Sequence, residues 1–462
     1  MAASEIPERR FQALAGYTRD YRTIAFLQEF AWFESDDGRV LGVQMWDRFD
    51  RDFGWLALGR DERGRFRAID VNSSLVTPEA ARDELLAAMD RWQSEPDDAM
   101  HQGLDDDEEE LLAAVDFFAP LTPEADQHPS FKVLLNDPRY SPAREMIAAM
   151  MRYHVDVDGN FIQQFQTVAF DTRLWELYLF AVFTELGFAR MGEHAAPDFV
   201  MTSLRGGMGV EATTANPPDD GEAPRPKTRD EALAYMENYV PIKLARALKK
   251  KLKKKTPYWE QPGMEGLPFA IALQDFHAPG SMTTVARTAT EYVFGVRHSM
   301  RGQTRHIEWI ETHAYGTSSE PSGFFKLKDA DHVSAVLVNP QGTLVKFNRL
   351  GLMAGFGDPR VRMVRSGIRR HDGDADPRPR PFTDEVHAAG YEESWVEGLV
   401  VLHNPGAQRP LDPDLLPGAT HEYLEPDGRI MSALPDSPPP YFARTAVFLD
   451  GQTVEEPDVQ ND

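Results

Sequence analysis

The segment from Asp171 to Thr213 constrains the fold more than any other part of the chain, because it sets carboxylates among apolar residues. In the run DTRLWELYLFAVFTELGF, residues 171–188, Glu176 is the only charged residue between Leu174 and Phe183. The run predicts a helix with apolar neighbours on every face, so Glu176 is expected to be buried. A carboxylate is rarely buried without a partner. The helix therefore has to pack against a group that satisfies Glu176.

Two further acids, Asp198 and Glu211, follow this helix in the run PDFVMTSLRGGMGVEAT. The glycines of this run predict a turn, and the residues on each side are typical of strands. The two acids are separated by 13 residues (211 − 198), which is long enough for two short strands and a turn. A hairpin brings acids on paired strands together, so we expect Asp198 and Glu211 to converge near Glu176.

Three carboxylates in this arrangement indicate a site for a divalent cation. Mg²⁺ and Mn²⁺ prefer carboxylate, carbonyl and water oxygens, and they commonly take one or two protein carboxylates while keeping several waters. Such an ion lowers the pKa of a bound water and neutralises charge on a phosphodiester. Asp275, at the end of the apolar run PFAIALQDF, is a fourth acid near the predicted site, although a capping or turn role is also open to it.

At these residues the chain resembles the PD-(D/E)xK nuclease superfamily. The core of that family is a helix with an acid, a hairpin carrying Pro-Asp and then (Asp/Glu)-x-Lys, and a further helix. Pro197-Asp198 and Glu211-Ala212-Thr213 fill those positions here. The resemblance implies a restriction-endonuclease-like fold of α+β or α/β class, a central mixed sheet flanked by helices. It also implies a nuclease that uses Mg²⁺ or Mn²⁺, bound and put to catalytic use by Glu176, Asp198 and Glu211.

The chain departs from this family at Thr213, which stands where the motif has lysine. That lysine is thought to orient the attacking water and to balance charge, and a threonine supplies no charge. In this superfamily the lysine is known to move to other elements. We predict Lys243, which opens the helix after Pro241, as the catalytic replacement, with Lys227 and Arg205 as alternatives.

A basic run lies on the same predicted helix. Its eight positive charges, with no acid among them, are Lys243, Arg246, Lys249, Lys250, Lys251, Lys253, Lys254 and Lys255. The predicted nucleic-acid contacts are Arg246, Lys249, Lys250, Lys253 and Lys254. Because leucines recur on the opposite face, a solvated amphipathic helix explains the same lysines equally well.

Composition excludes several classes of site and partner. The chain has no cysteine, so it has no disulfides and no thiolate metal ligands. Its formal charge of −25 argues against a broad nonspecific DNA footprint, so nucleic-acid binding depends on local patches. No apolar run reaches the roughly 18 residues needed to span a bilayer, and the first residues lack the apolar core of a signal peptide. We therefore expect a cytoplasmic protein with no membrane partner.

The 462 residues are too many for one ordinary core and predict several units. Residues 1–93 form a small N-terminal α+β domain, a β-meander followed by a helix. Residues 94–110 carry nine acids and no base and are expected to be a linker. The nuclease-like domain spans 111–400, and a Pro/Asp-rich C-terminal extension covers 401–462. A wider pattern, including SGFFKLKDADHVSAVLVN, KFNRLG and VLHNPGAQRPL, resembles a group of bacterial proteins placed near these nucleases.

Two functions follow from these residues. The leading hypothesis is a metal-dependent phosphodiesterase that cleaves DNA or RNA by water attack. The alternative is a catalytically degenerate nuclease-like scaffold that binds nucleic acid or a protein partner, and the loss of the motif lysine at Thr213 together with the negative charge favours it. The number of metal ions and the sequence preference stay open.

Overall fold

The structure is a computed structural model, and it describes residues 3–101, 116–154, 159–192, 196–218, 223–302, 304–370 and 378–450. Within these ranges the fold is mixed α+β. The α-helices are α1 (Glu8–Ala15), α2 (Pro78–Gln93), α3 (Pro129–Asn136), α4 (Ser141–Met151), α5 (Phe161–Gln166), α6 (Phe170–Glu185), α7 (Arg229–Ala234), α8 (Val240–Leu252), α9 (Val285–Phe294) and α10 (Leu344–Met353). A π-helical turn, Tyr235–Tyr239, joins α7 to α8.

The strands of the described ranges form five sheets. The first ten strands are β1 (Ala3–Ile6), β2 (Leu27–Ser35), β3 (Val40–Asp47), β4 (Phe53–Arg60), β5 (Phe66–Leu75), β6 (Ala189–Arg190), β7 (Phe199–Ser203), β8 (Gly206–Ala215), β9 (Phe269–Asp275) and β10 (Val296–Arg301). The others are β11 (Thr304–Trp309), β12 (Thr312–Tyr315), β13 (Ser318–Pro321), β14 (Ala335–Val338), β15 (Val361–Arg369), β16 (Arg380–Glu385), β17 (Val400–His403), β18 (Thr420–Leu424), β19 (Ile430–Ala433) and β20 (Phe442–Leu449).

The N-terminal meander is confirmed. Strands β1 to β5 pair in sequence order into an antiparallel sheet. Helix α2 packs on it and is capped at its start, since the Thr77 hydroxyl accepts from the Ala80 N–H at 3.1 Å and Pro78 occupies the first turn. The other face of the sheet shares the main core, because Leu41, Val43 and Leu58 pack in one apolar cluster with residues of α4 and α6.

A large mixed sheet flanked by helices forms the centre of the protein. Its strand order is β19-β18-β17-β14-β9-β8-β7-β6. Strands β8, β9 and β14 are parallel to one another, and β6, β7 and β8 form an antiparallel meander at one edge. Strand β9, formed by the apolar run that ends near Asp275, is buried along its whole length. Helix α6 packs on one face, with Val210 and Ala212, and α8 on the other, with Ile271 and Leu273.

The remaining predictions concern the C-terminal extension, the acidic linker and membrane-spanning helices. The proposed extension after residue 400 supplies β18 and β19 to the central sheet and β20 to a three-stranded sheet with β15, and the predicted boundary passes through β17. Most of the predicted acidic linker, residues 102–110, lies outside the described residues. No helix in the described part of the chain is long and apolar enough to cross a membrane.

A buried ion cluster joins α10 to β15 and to the loop before β17. Glu393, with 0% of its side chain exposed, receives two N–H bonds of 2.7 Å from Arg349 and lies 3.4 Å from Lys346. Arg365 lies 3.7 Å from Glu393 and 2.7 Å from Glu397. Burial alone would raise the pKa of Glu393, but the charges of Arg349, Lys346 and Arg365 outweigh it and lower that pKa far below its ordinary value.

Glu393→Ala should lower the free energy of unfolding by about 3–5 kcal/mol, because it leaves three buried cations facing one carboxylate. Urea unfolding followed by circular dichroism measures the change. Asp427→Ala is the matched control, since its ion pair with Arg429 is solvent-exposed and its loss should change the midpoint little. Equal losses in the two variants would contradict a structural role for the cluster.

Candidate functional site

The hairpin of β7 and β8 brings Asp198 and Glu211 into contact. Phe199 pairs with Val210, so Asp198, one residue before β7, lies opposite Glu211. The Asp198 N–H donates to Glu211 Oε2 at 3.2 Å, and the Ala212 N–H donates to Asp198 Oδ2 at 2.8 Å. The two acids predicted to converge therefore form a carboxylate pair, in which Glu211 is buried and Asp198 half-buried.

The lysine that reaches this pair is Lys251, in the last turn of α8. Its Nζ lies 2.6 Å from Glu211 Oε1, and only 18% of the lysine side chain is exposed. The predicted replacement, Lys243, lies on the same helix but eight residues earlier, about 12 Å along the axis. Of the alternatives, the Arg205 side chain donates to the Leu186 carbonyl, whereas Lys227 donates its backbone N–H to Glu231. The structure therefore places Lys251, at the end of α8, in contact with Glu211, and the catalytic role predicted for Lys243 stays a prediction.

The buried Glu176 has an arginine for its partner. Arg173 Nη1 donates to Glu176 Oε2 at 2.5 Å, across the i, i+3 spacing of α6. The pKa of Glu176 also depends on the carboxylate pair. Burial raises this pKa, Arg173 lowers it, and the charge of Glu211 raises it further. The prediction of three convergent ligands is therefore corrected to a pair of acids with a third, arginine-bound acid beside them.

No group of three His, Asp or Glu side chains within the described ranges lies close enough together to hold a metal ion. The candidate protein ligands for a cation are therefore the two acids of the hairpin, Asp198 and Glu211. Two carboxylates are within the number that Mg²⁺ or Mn²⁺ commonly takes from a protein, with water filling the other positions.

The pair carries unbalanced negative charge. Burial raises the pKa of Asp198 well above its ordinary value, and the charges of Glu211 and Glu176 raise it further, while Lys251 lowers it. The Tyr258 hydroxyl lies beside Glu211, and burial together with that carboxylate raises the phenol pKa, so Tyr258 is a neutral hydrogen-bond donor. One lysine thus faces two adjacent carboxylates, which is the electrostatic environment that attracts a cation.

The predicted nucleic-acid contacts divide into two groups. Lys250, Lys253 and Lys254 are exposed around the end of α8, and Lys254 Nζ lies 4.2 Å from the centre of the Tyr258 ring. Arg246 and Lys249 pair instead with Glu320 on β13. The exposed lysines therefore flank the acid pair, whereas the other two basic residues stabilise the packing of α8 on β13.

Sequence reasoning missed three contributors to this site. Lys251 stood only as one member of the basic run, and nothing local distinguished it from its neighbours. Tyr258 is buried and stacks on Phe269, with ring centres 5.5 Å apart. It lies far from Glu211 along the chain, so local sequence patterns did not predict that the two residues are neighbours. Arg173 had a local signal, since it precedes Glu176 by one helical turn.

No protein-family model, curated protein or solved structure matches the chain.

Asp198→Asn should raise the melting temperature in metal-free buffer, and the gain should be larger at about pH 8 than at about pH 5. A raised native pKa means that the folded chain holds this proton more tightly than the unfolded chain. The ionised carboxyl therefore destabilises the fold above its ordinary pKa of about 4, and the amide removes that cost.

Differential scanning calorimetry in the presence of a chelator measures this effect. Asp83→Asn, on the exposed face of α2, is the matched control and should change the melting temperature little at either pH. A drop in melting temperature at the higher pH for Asp198→Asn would show that its negative charge stabilises the fold.

Proposed function

We propose that this protein is a metal-dependent phosphodiesterase that acts on DNA or RNA, with a site of PD-(D/E)xK type in which Lys251 takes the place of the missing motif lysine. The observation that carries the proposal is the 2.6 Å contact between Lys251 Nζ and Glu211, next to Asp198. Lys251 lies on the helix that follows the hairpin, and it supplies the positive charge that Thr213 lacks.

The order of elements supports the proposal. An acid-bearing helix, α6, is followed by the β6-β7-β8 meander with Pro197-Asp198 at the start of β7 and Glu211 within β8. Helix α8 then crosses the sheet, and β9 returns parallel to β8. This is the helix, hairpin and helix order of the family to which the motif points.

The residues present fit a divalent cation. Asp198 and Glu211 would hold it, since they are adjacent oxygen ligands, and burial together with the charge of Glu211 raises the pKa of Asp198. When bound, Mg²⁺ or Mn²⁺ supplies charge neutralisation at a phosphodiester and a more acidic bound water. The fit rests on the chemistry of these donors, because two carboxylates against one lysine leave one negative charge uncompensated.

The other residues of the site have separate roles in this proposal. Lys251 orients Glu211 and sets a positive charge beside the pair. Tyr258, as a neutral donor, holds the same carboxylate. The exposed Lys250, Lys253 and Lys254 bind the phosphate backbone, and the helix C-terminus on which they lie favours cationic side chains.

A second candidate is the noncatalytic scaffold that binds nucleic acid or a protein. Two observations favour it: Thr213 is buried where the family has lysine, and Glu176 is already neutralised by Arg173. In this reading Lys251 and Glu211 form a structural ion pair. The two candidates differ in whether a cation joins the acid pair, which can be measured directly.

Asp198→Ala should abolish Mg²⁺-dependent cleavage of DNA or RNA, and Lys251→Gln should slow it by about 10²-fold or more, because each removes charge at the reacting centre. Fluorescent single- and double-stranded substrates measure the rates. Lys243→Gln is the matched control on the same helix and should retain activity within a few-fold. Melting curves establish that each variant is folded, and full cleavage by Asp198→Ala would remove the site assignment.

Calorimetric titration with Mn²⁺ separates the two candidates. The enzyme hypothesis predicts saturable binding by the wild-type chain at millimolar metal or below, lost in Glu211→Gln and retained in Asp83→Asn. Absence of binding by the folded wild-type chain would favour the noncatalytic scaffold.

A further inference from the structure

A large cavity opens where three parallel strands end. Its volume is about 1100 Å³, and it is lined by the residues that follow the carboxyl ends of β8, β9 and β14, among them Pro217, His277 and Gln341. The crevice outside the carboxyl ends of parallel strands is where open α/β sheets commonly bind ligands. The cavity is distinct from the acid pair, because Glu211 lies four residues before the end of β8, about 13 Å along the strand.

Three side chains at this cavity form a hydrogen-bonded relay that the proposed phosphodiesterase does not use. Asp275 Oδ1 lies 2.5 Å from His277 Nδ1, and His277 Nε2 lies 2.6 Å from the Tyr235 hydroxyl. Asp275 and His277 are almost fully buried, with 0% and 1% of their side chains exposed. Asp275 has the predicted turn role, since its Oδ1 accepts from the His277 backbone N–H at 3.1 Å, and the same oxygen also orients the histidine ring.

The hydrogen bond to His277 limits which hydrogen bonds the Tyr235 hydroxyl can still form with a ligand. Because a carboxylate can only accept, His277 Nδ1 donates to Asp275, and His277 Nε2 shares the second hydrogen bond with the Tyr235 hydroxyl. Whichever of these two atoms donates, the phenol oxygen keeps at least one lone pair for a donor on a ligand. Burial raises the pKa of Tyr235, and the neighbouring Tyr239 and Asp275 raise it further, so the phenol stays neutral. Tyr235 also begins the π-helical turn, a feature frequent at functional sites.

The remaining lining combines apolar rings with arginines. His128, half-buried and stacked on the fully buried Phe170, contributes an aromatic ring, and Arg225, Arg349 and Arg444 contribute positive charge. Arg349 is held by Glu393, whereas Arg444 is exposed and, among the described residues, has no carboxylate within salt-bridge distance. Among the lining residues that the structure describes, Asp171 is the one acid, and burial raises its pKa to about 6. This wall suits a ligand with a flat ring and an anionic group.

We propose that the cavity at the carboxyl ends of β8, β9 and β14 binds a nucleotide, with its phosphate at Arg444 and a sugar hydroxyl or base amine donating to the Tyr235 oxygen. The ring lies against the aromatic part of the wall. The ligand is either a free nucleoside monophosphate or the terminal nucleotide of a strand, which present the same chemistry. The inference does not depend on metal binding or on cleavage at the acid pair.

Isothermal titration of the full chain with each of the four ribonucleoside 5′-monophosphates, in the presence of a chelator, tests this inference. At least one should bind saturably, and more tightly than its nucleoside or inorganic phosphate alone. Tyr235→Phe should weaken binding roughly 3- to 10-fold, the effect of one hydrogen bond, and Arg444→Gln by at least roughly tenfold. Arg429→Gln, an exposed arginine paired with Asp427, is the matched control and should bind like the wild type.

Two further measurements decide between sources and sites. A 5′-phosphorylated oligonucleotide that competes as well as the monophosphate identifies a strand terminus as the ligand, and weaker competition identifies the free nucleotide. Asp198→Ala should retain binding, so this result is independent of any loss of cleavage. The inference is overturned if none of the monophosphates binds at millimolar concentration, if folded Tyr235→Phe and Arg444→Gln bind like the wild type, or if Asp198→Ala abolishes binding.

Discussion

Charge compensation inside the central sheet is the constraint on which the candidate site depends. Asp198 and Glu211 lie opposite one another on a hairpin that is otherwise largely apolar, and such a pair needs donors or positive charge close by. The Ala212 N–H satisfies one carboxylate, and Lys251 reaches the other from α8. The packing of α8 against the sheet is therefore a condition of the charge balance, and the hairpin and the helix form one functional unit.

The same constraint explains the different behaviour of the third acid. Glu176 is buried within the apolar surface of α6, and an arginine one turn away on the same helix compensates it locally. A carboxylate that is already paired has less to gain from a cation than one that faces a like charge. Asp198, which meets two other carboxylates and one lysine, is the group whose charge is least compensated. Any chemistry of the cluster is centred there.

One crossover connection links the two regions to which we assign ligands. After β8 the chain passes through α7, the π-helical turn and α8 before it re-enters the sheet as β9. The start of this connection supplies Tyr235 at the carboxyl ends of the strands, and its end supplies Lys251 beside Glu211. A change in the position of α8 would therefore alter both regions together, since one rigid helix spans the distance between them.

The sequence by itself determined the local elements: the apolar helix around Glu176, the glycine hairpin that joins Asp198 to Glu211, the buried β9 and the meander at the N-terminus. These follow from periodicity and turn residues, which act over a few positions. Only the tertiary structure decided that Lys251, not Lys243, reaches the acids, and that strands beyond residue 400 complete the central sheet. The physical reason is that helix rotation, depth and strand order depend on packing between distant segments. Nothing in the local sequence of α8 distinguishes the lysine that contacts Glu211 from the other lysines of that helix.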